Sequence, residues 1–365
     1  LHLSAGDAAR RGTLNASATS GNRRLALAPD ARATGAMKTS VVSGIVCGFV
    51  CGLGVLLTAG LAFALLQRAP EQLTLTLFGH ALIVRSLHDR LIGRIVVVLL
   101  ILPLALVIEF AAVGWSRSSI RHLLIARAPS TRTDLAMFIL GQTQILDLVG
   151  RVMVLGLGMI SALWVRDRLR DLTGFAVDPG ALPFVVQVPV YFLVYTFFDY
   201  WTHRISHLPL FWPLHRYHHS AAEFCTLTSD RQHPAAFVGL FLINIPLALL
   251  GAQPLVMVYV VALVNAFGYL EHSRMTGDWG LIGRWIIQSP RHHRAHHKLS
   301  MEEPTCHYSM VPLWDRLFGT WCGAAAPDIA IGVSRPYRHG YWVIADLLRD
   351  YLDFFRGLLG RPAEL

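Results

Sequence analysis

Apolar positions along this chain gather into long runs, separated by short polar stretches rich in arginine. Val41–Leu66 and Ile95–Trp115 are each long enough to cross a bilayer, which takes about 20 residues of helix. Between them Leu73–Val84 is a weaker apolar segment, and Leu135–Val165 is a longer run interrupted by Asp147 and Arg151. Ala181–Phe198 is a further span that ends on Asp199. The stretch Ala235–Glu271 is too long for one straight crossing. Pro246 and Gly251-x-x-Pro254 divide it into pieces of about 16 and 17 residues, slightly short for two full crossings. That pattern predicts a helical hairpin that dips into the bilayer, or tightly crosses it, and returns the chain to the side it left. Near the C-terminus, Ile344, Leu347, Leu348, Tyr351, Leu352, Phe355, Leu358 and Leu359 recur at helical spacing, with Asp346, Arg349, Asp350, Asp353 and Arg356 on the other face. Such a helix is expected to lie on a membrane surface or to cap the neighbouring domain. Residues 1–36 lack apolar periodicity and read as disordered.

The expectation is an all-α, polytopic integral membrane bundle. Its segments are a disordered 1–37, N-terminal transmembrane helices over 38–180, a histidine-rich domain over 181–322 and a C-terminal amphipathic helix over 323–365. Composition agrees with this class: 54% of residues are hydrophobic, 15% are charged and the mean hydropathy is +0.47. The net charge of +9 does not redirect the reading to nucleic acid, because the arginines flank apolar runs instead of forming one basic stripe. Five cysteines show no CxxC spacing and ask for no disulfide. Glu109, inside the Ile95–Trp115 run, reads as a structural carboxylate.

Candidate chemistry is concentrated in DYWTHRISHLPLFWPLHRYHH, residues 199–219, and in SPRHHRAHH further on. These hold His203-x3-His207, His215-x2-His218-His219 and His293-x2-His296-His297. Helical residues three or four apart share a face, so each set can aim its imidazoles one way. Imidazole is a ligand for iron, zinc and copper, and ordinary packing has no use for so many groups that are costly to bury unpaired. Eight imidazoles in three sets exceed the needs of one metal and imply two. Asp199, one turn before His203, is placed to accept that ring's second N–H. If the hairpin returns the chain to one side, no spanning run separates the three sets, and they can meet. Arg204, Arg216, Arg231, Arg274, Arg284, Arg291, Arg294 and Lys298 cluster with them, which by the positive-inside rule makes that side cytoplasmic.

DYWTHRISH, HRYHHS, SPRHHRAHH and VPLWDRLFGTW resemble the signature boxes of the membrane fatty acid hydroxylase/sterol desaturase superfamily, over roughly Pro183 to Cys322. The resemblance implies a non-haem di-iron enzyme that uses O2 to hydroxylate or desaturate C–H bonds of a lipid. It adds two histidines to the expected ligands. His272 matches the lone histidine between the second and third boxes. His233, in an RxHP element, is either a ligand or a pre-proline turn residue. The full expected set is His203, His207, His215, His218, His219, His233, His272, His293, His296 and His297, supported by Asp199, Asp315 and His307. His307 stands where many relatives have Asn, as an added ligand, a supporting group or a neutral change. No role is assigned to His292. With no dinucleotide fingerprint and no iron–sulfur cysteine set in the chain, electrons are expected from a separate ferredoxin, cytochrome or flavoprotein reductase. Two rival readings are a membrane zinc hydrolase, which would need a base carboxylate inside a box as in HExxH, and a non-catalytic metalloprotein on the same boxes.

Overall fold

The computed structural model describes residues 60, 64, 73–77, 80–84, 87–143, 145–153, 157–174, 182–235, 237–299 and 306–360. The expected N-terminal segment and nearly all of Val41–Leu66 lie outside the described residues.

Among the described residues the chain is helical, as expected, apart from one short hairpin. Leu73–Leu77 (β1) and His80–Val84 (β2) pair antiparallel, Leu73 opposite Val84 and Leu77 opposite His80. The segment Leu-Thr-Leu-Thr-Leu alternates with period two, the pattern of a strand and not of a helix.

Helix α1 (Leu87–Val96) continues through a π-helical turn, Val97–Ile101, into α2 (Leu102–Val113). Among the described residues, this stretch over Ile92–Val113 is one of two helices long and apolar enough to cross a membrane; the other is α6 (Phe184–Ser206). Both turn apolar side chains outward, Leu100, Leu104 and Ile108 on the first and Val186, Val190 and Leu193 on the second. Glu109 has the structural role expected of it. Fully buried, it accepts the Ser119 N–H and hydroxyl, both at 2.7 Å, and the Arg274 N–H at 2.6 Å.

The run beginning at Leu135 is broken into α3 (Pro129–Gln142), α4 (Ile145–Met153) and α5 (Leu157–Thr173). The Asp147 and Arg151 side chains lie outside the described residues. The expected hairpin is present as α8 (Phe237–Leu242), α9 (Asn244–Leu249) and α10 (Pro254–Glu271). Its first break falls at Ile243, three residues before Pro246. The proline has no N–H for the Leu242 carbonyl, so the ladder fails upstream of the ring. The second break is at Gly251, whose φ of 64° suits glycine. α10 packs against α6, α1 and α2, and Tyr191, Leu247, Val256 and Val260 form a core shared by α6, α9 and α10.

Four further helices complete the histidine-bearing half. These are α7 (Trp212–His219), α11 (Gly280–Trp285), α12 (Pro290–His296) and α13 (Pro312–Leu317). The last element, α14 (Ile344–Leu358), packs on α7. It buries Asp346, Asp350 and Asp353 and exposes Ile344, Leu348, Leu352 and Phe355. The polar face is therefore the inward one. Asp350 and Asp353 receive the buried guanidinium of Arg216, and Asp353 also pairs with Arg335. Cys306 and Cys322 form a disulfide, a pairing that their spacing did not suggest.

Candidate metal centre

Each histidine set is placed by a short helix or a helix end. His203 sits in the last turn of α6 and His207 is its C-cap, while His272 caps α10 and His297 caps α12. α7 and α12 each begin with Pro in the first turn, where the missing N–H costs nothing, and on α12 the Ser289 hydroxyl caps the His292 N–H. The boxes converge into two groups of ring nitrogens, each group within 4.8 Å: His203, His207, His215, His219 and His296 in one, and His218, His272, His293 and His297 in the other. Each HxxHH box is split between the groups. On α7, His215 and His219 (i, i+4) face the first and His218 the second; on α12, His293 and His297 face the second and His296 the first. The groups touch where the His219 and His297 rings stack, 4.1 Å between centroids.

Hydrogen bonds on the outer ring nitrogens settle which lone pairs point inward. His203 Nδ1 faces the Tyr308 carbonyl at 2.7 Å, His296 Nδ1 the Cys306 carbonyl at 2.8 Å and His272 Nδ1 the Gly268 carbonyl at 2.8 Å. A carbonyl only accepts, so these Nδ1 atoms carry the proton and Nε2 presents a lone pair. Yet His272 Nε2 lies 2.9 Å from His293 Nε2 and 3.2 Å from His218 Nε2, and His296 Nε2 lies 3.2 Å from His207 Nε2. The buried His203 Nε2 has no protein partner. Two nitrogens each about 2.1 Å from one ion, at right angles, would be about 3.0 Å apart. For His272 and His293, whose Nδ1 atoms both face an oxygen acceptor, two lone pairs meet at that spacing and fit a cation between them. Burial, followed by the neighbouring imidazoles, holds His207, His215, His219, His296, His218, His293 and His297 well below the usual histidine range. Burial likewise brings His272 down to about 3. The rings are therefore neutral, the form that ligates.

Residues 188–320 match the fatty acid hydroxylase family. The chain is similar to the ornithine lipid hydroxylase OlsE of Rhizobium tropici, 31% identical over 170 residues, which cover 45% of this chain and 50% of that protein. It is also similar to the alkylglycerol monooxygenases of Xenopus tropicalis (28% over 135 residues, 36% of this chain and 29% of that one) and Homo sapiens (27% over 147 residues, 40% and 32%). Over this region the chain resembles the fatty acid hydroxylase/sterol desaturase superfamily. It spans about half or less of the length of these curated relatives, and no solved structure matches it significantly.

Within the hydroxylase domain, the remaining expected residues occupy other places. His233 is in neither group: its Nε2–H donates to the Leu347 carbonyl at 2.9 Å and its Nδ1 accepts the Ala235 N–H at 3.1 Å. The tie expected between Asp199 and His203 is replaced by the Tyr308 carbonyl, and Asp199 lines a cavity instead. Asp315 touches no ligand ring. It accepts the N–H groups of Tyr308 and Ser309 and the Thr320 hydroxyl, so it holds the loop whose carbonyls orient His203 and His296. His307 faces the Gly323 carbonyl and adjoins the Cys306–Cys322 pair. His292 is capped by Ser289 and packs on Trp321. Among groups that the spacing did not flag, Gln288 Oε1 backs His293 Nδ1 at 2.9 Å, and Gln232 is 3.1 Å from His218 Nδ1. Neither has a sequence signal, since both reach their ring across a turn.

Three of the eight basic residues that suggested a cytoplasmic face are folded inward. Arg216 is held by Asp350 and Asp353, Arg231 by Asp134 at 2.8 Å, and Arg294 by the carbonyls of Met275 and Ser273. Arg231 also reaches the Ser220 hydroxyl at the C-cap of α7, fixing the end of the second box.

A cavity of about 720 Å³ opens on both groups, reaching His203 and His215 of the first and His218, His272 and His293 of the second. Among the described residues its walls also carry Asp199, Asp230 and Glu271 and no lysine or arginine.

Proposed function

We propose that this chain is an O2-dependent membrane di-iron oxidoreductase that hydroxylates a C–H bond of a lipid. The carrying observation is the pair of adjoining imidazole groups, their lone pairs turned inward, beside one cavity in a fatty acid hydroxylase domain. The nine grouped histidines would hold two iron ions, which when bound supply the oxidant for an unactivated C–H bond. The protein's own part is positional. Carbonyls of Tyr308, Cys306 and Gly268 fix the tautomers of His203, His296 and His272, and burial keeps the rings unprotonated and the site dry. The cavity orients the lipid so that one carbon lies near both groups. Asp199, Asp230 and Glu271, with no lysine or arginine among the described lining residues, suit a polar head group that donates hydrogen bonds, and an ornithine lipid hydroxylase is among the relatives.

α1–α2 and α6 are read as membrane-crossing helices, with the histidine groups at the cytoplasmic leaflet and a separate ferredoxin, cytochrome or flavoprotein reductase as donor. The test compares lipids of an aerated host expressing the chain, together with such a donor, against one expressing His218→Ala. A species one oxygen atom heavier, found only with the unaltered chain, is expected. One two hydrogens lighter would assign desaturation. Neither species, or purified protein that binds zinc and no iron, would overturn the reading.

A further inference from the structure

α14 is amphipathic in the inverse sense. Ile344, Leu348, Leu352, Phe355 and Leu359 follow one another at i, i+4, i+8, i+11 and i+15, and all are exposed, as is the preceding Trp342 at 84%. The opposite face, with Asp346, Asp350 and Asp353, is the buried one. A folded chain does not turn its carboxylates inward and a continuous aliphatic stripe outward unless the stripe has an apolar partner.

Position and charge say which partner. α14 packs just past the C-terminal end of α6: Phe354 stacks on Phe211 at 6.0 Å, and Leu214, Ala235 and Phe354 form one core with Leu210 and Tyr351. If α6 crosses the bilayer, α14 lies at the level where that crossing ends. All three acids of the helix are sequestered, while Arg356, which reaches Asp353 at 2.8 Å, is exposed next to Phe355 of the stripe. The outer face of the helix thus offers apolar groups and a guanidinium and no carboxylate, the pattern of a helix lying in an anionic membrane interface.

We propose that α14 is an interfacial membrane helix, its Ile344–Leu359 stripe seated at the boundary of head groups and acyl chains, and that this seat positions the second histidine box. The inner face of the same helix holds Arg216, which stands between His215 and Tyr217, through Asp350 and Asp353, and holds His233 through the Leu347 carbonyl. Contact with the bilayer is thereby joined to α7 by buried ion pairs. The inference rests on α6 as a membrane-crossing helix but not on the chemistry at the histidines.

The test uses the full chain in nanodiscs of phosphatidylcholine and phosphatidylglycerol, and takes the emission lost in Trp342→Phe as the Trp342 signal. Phospholipids brominated near the carbonyl end of the acyl chain should quench most of that signal, and aqueous iodide should leave it largely intact. Quenching by iodide instead overturns the proposal. Protection from both agents also overturns it, by assigning the face to a second copy or another protein. In the Leu348→Glu/Leu352→Glu variant, iodide quenching should rise and bromolipid quenching fall. If that variant fails to fold, the measurement on the unaltered stripe decides. Product formation is not read, so failure of the hydroxylase reading leaves this result interpretable.

Discussion

The two histidine groups are built differently, although both draw on the same boxes. The first has five imidazoles, and two of them are backed by backbone carbonyls of one loop, at Cys306 and Tyr308, which Asp315 holds in place. The second has four, backed by the Gly268 carbonyl and by the side chains of Gln288 and Gln232. Three of those four line the cavity, against two of the first five, and Glu271 stands beside them. A metal in the second group would keep more open positions, facing the space where a substrate fits. The first is the better enclosed. On the two-metal reading, the difference would give an ion in the first group a more structural and electronic part and one in the second a more accessible part.

The strongest way to break this comparison is to remove one ring from each group. His272→Ala leaves three imidazoles in the second group and is expected to lower iron from about two to about one per chain, whereas His207→Ala leaves four in the first and should retain close to two. Elemental analysis of the purified variants checks it, and equal losses would erase the proposed asymmetry.

Protonation should treat both halves of the site alike. Burial brings His272 of the second group down to about 3 and holds His207 and His296 of the first well below 6.5, and outside the groups it brings His233 and His307 to about 4. Below pH 6.5 the unfolded chain then binds protons that the folded chain refuses, so stability falls as pH drops from about 6.5 toward 4. Thermal unfolding of metal-free protein across that range is expected to show a steadily falling midpoint. A midpoint that rises on acidification would mean that the rings are charged in the fold.

A sharper contrast comes from the groups behind the ligands. Asp315→Asn should weaken metal binding in the first group by about 10- to 100-fold, and Gln288→Leu should do the same in the second. Competition with a graded chelator reads the two populations separately, and each variant should affect one. The smallest effect is expected from His233→Gln. It removes two hydrogen bonds to the backbone, costing about 1–3 kcal/mol by denaturant unfolding, with iron content unchanged. Loss of iron in that variant would return His233 to the ligand set.

Much of this site was legible before any fold was known. HxxxH and HxxHH spacings place rings on one helical face whatever surrounds them, because helix pitch is a local property. The division of Ala235–Glu271 followed from Pro246, Gly251 and Pro254, whose effects on the backbone are equally local. The Leu73–Val84 hairpin could also have been read from its Leu-Thr alternation, but was outweighed by the apolar runs on either side.

What the sequence by itself determined was the helical grain of the chain, the apolar runs long enough to cross a membrane, and the five-residue reach over which each box can aim its rings (His293 to His297 and its counterparts occupy less than two turns). Tertiary structure alone decided that each HxxHH box serves both groups, that loop carbonyls rather than Asp199 orient the rings, that Arg216, Arg231 and Arg294 turn inward, and that α14 shows its apolar side to the outside. Those outcomes depend on how helices cross and which loops fill the spaces between them. They are sums of many contacts between residues distant in the chain, and no local spacing encodes them.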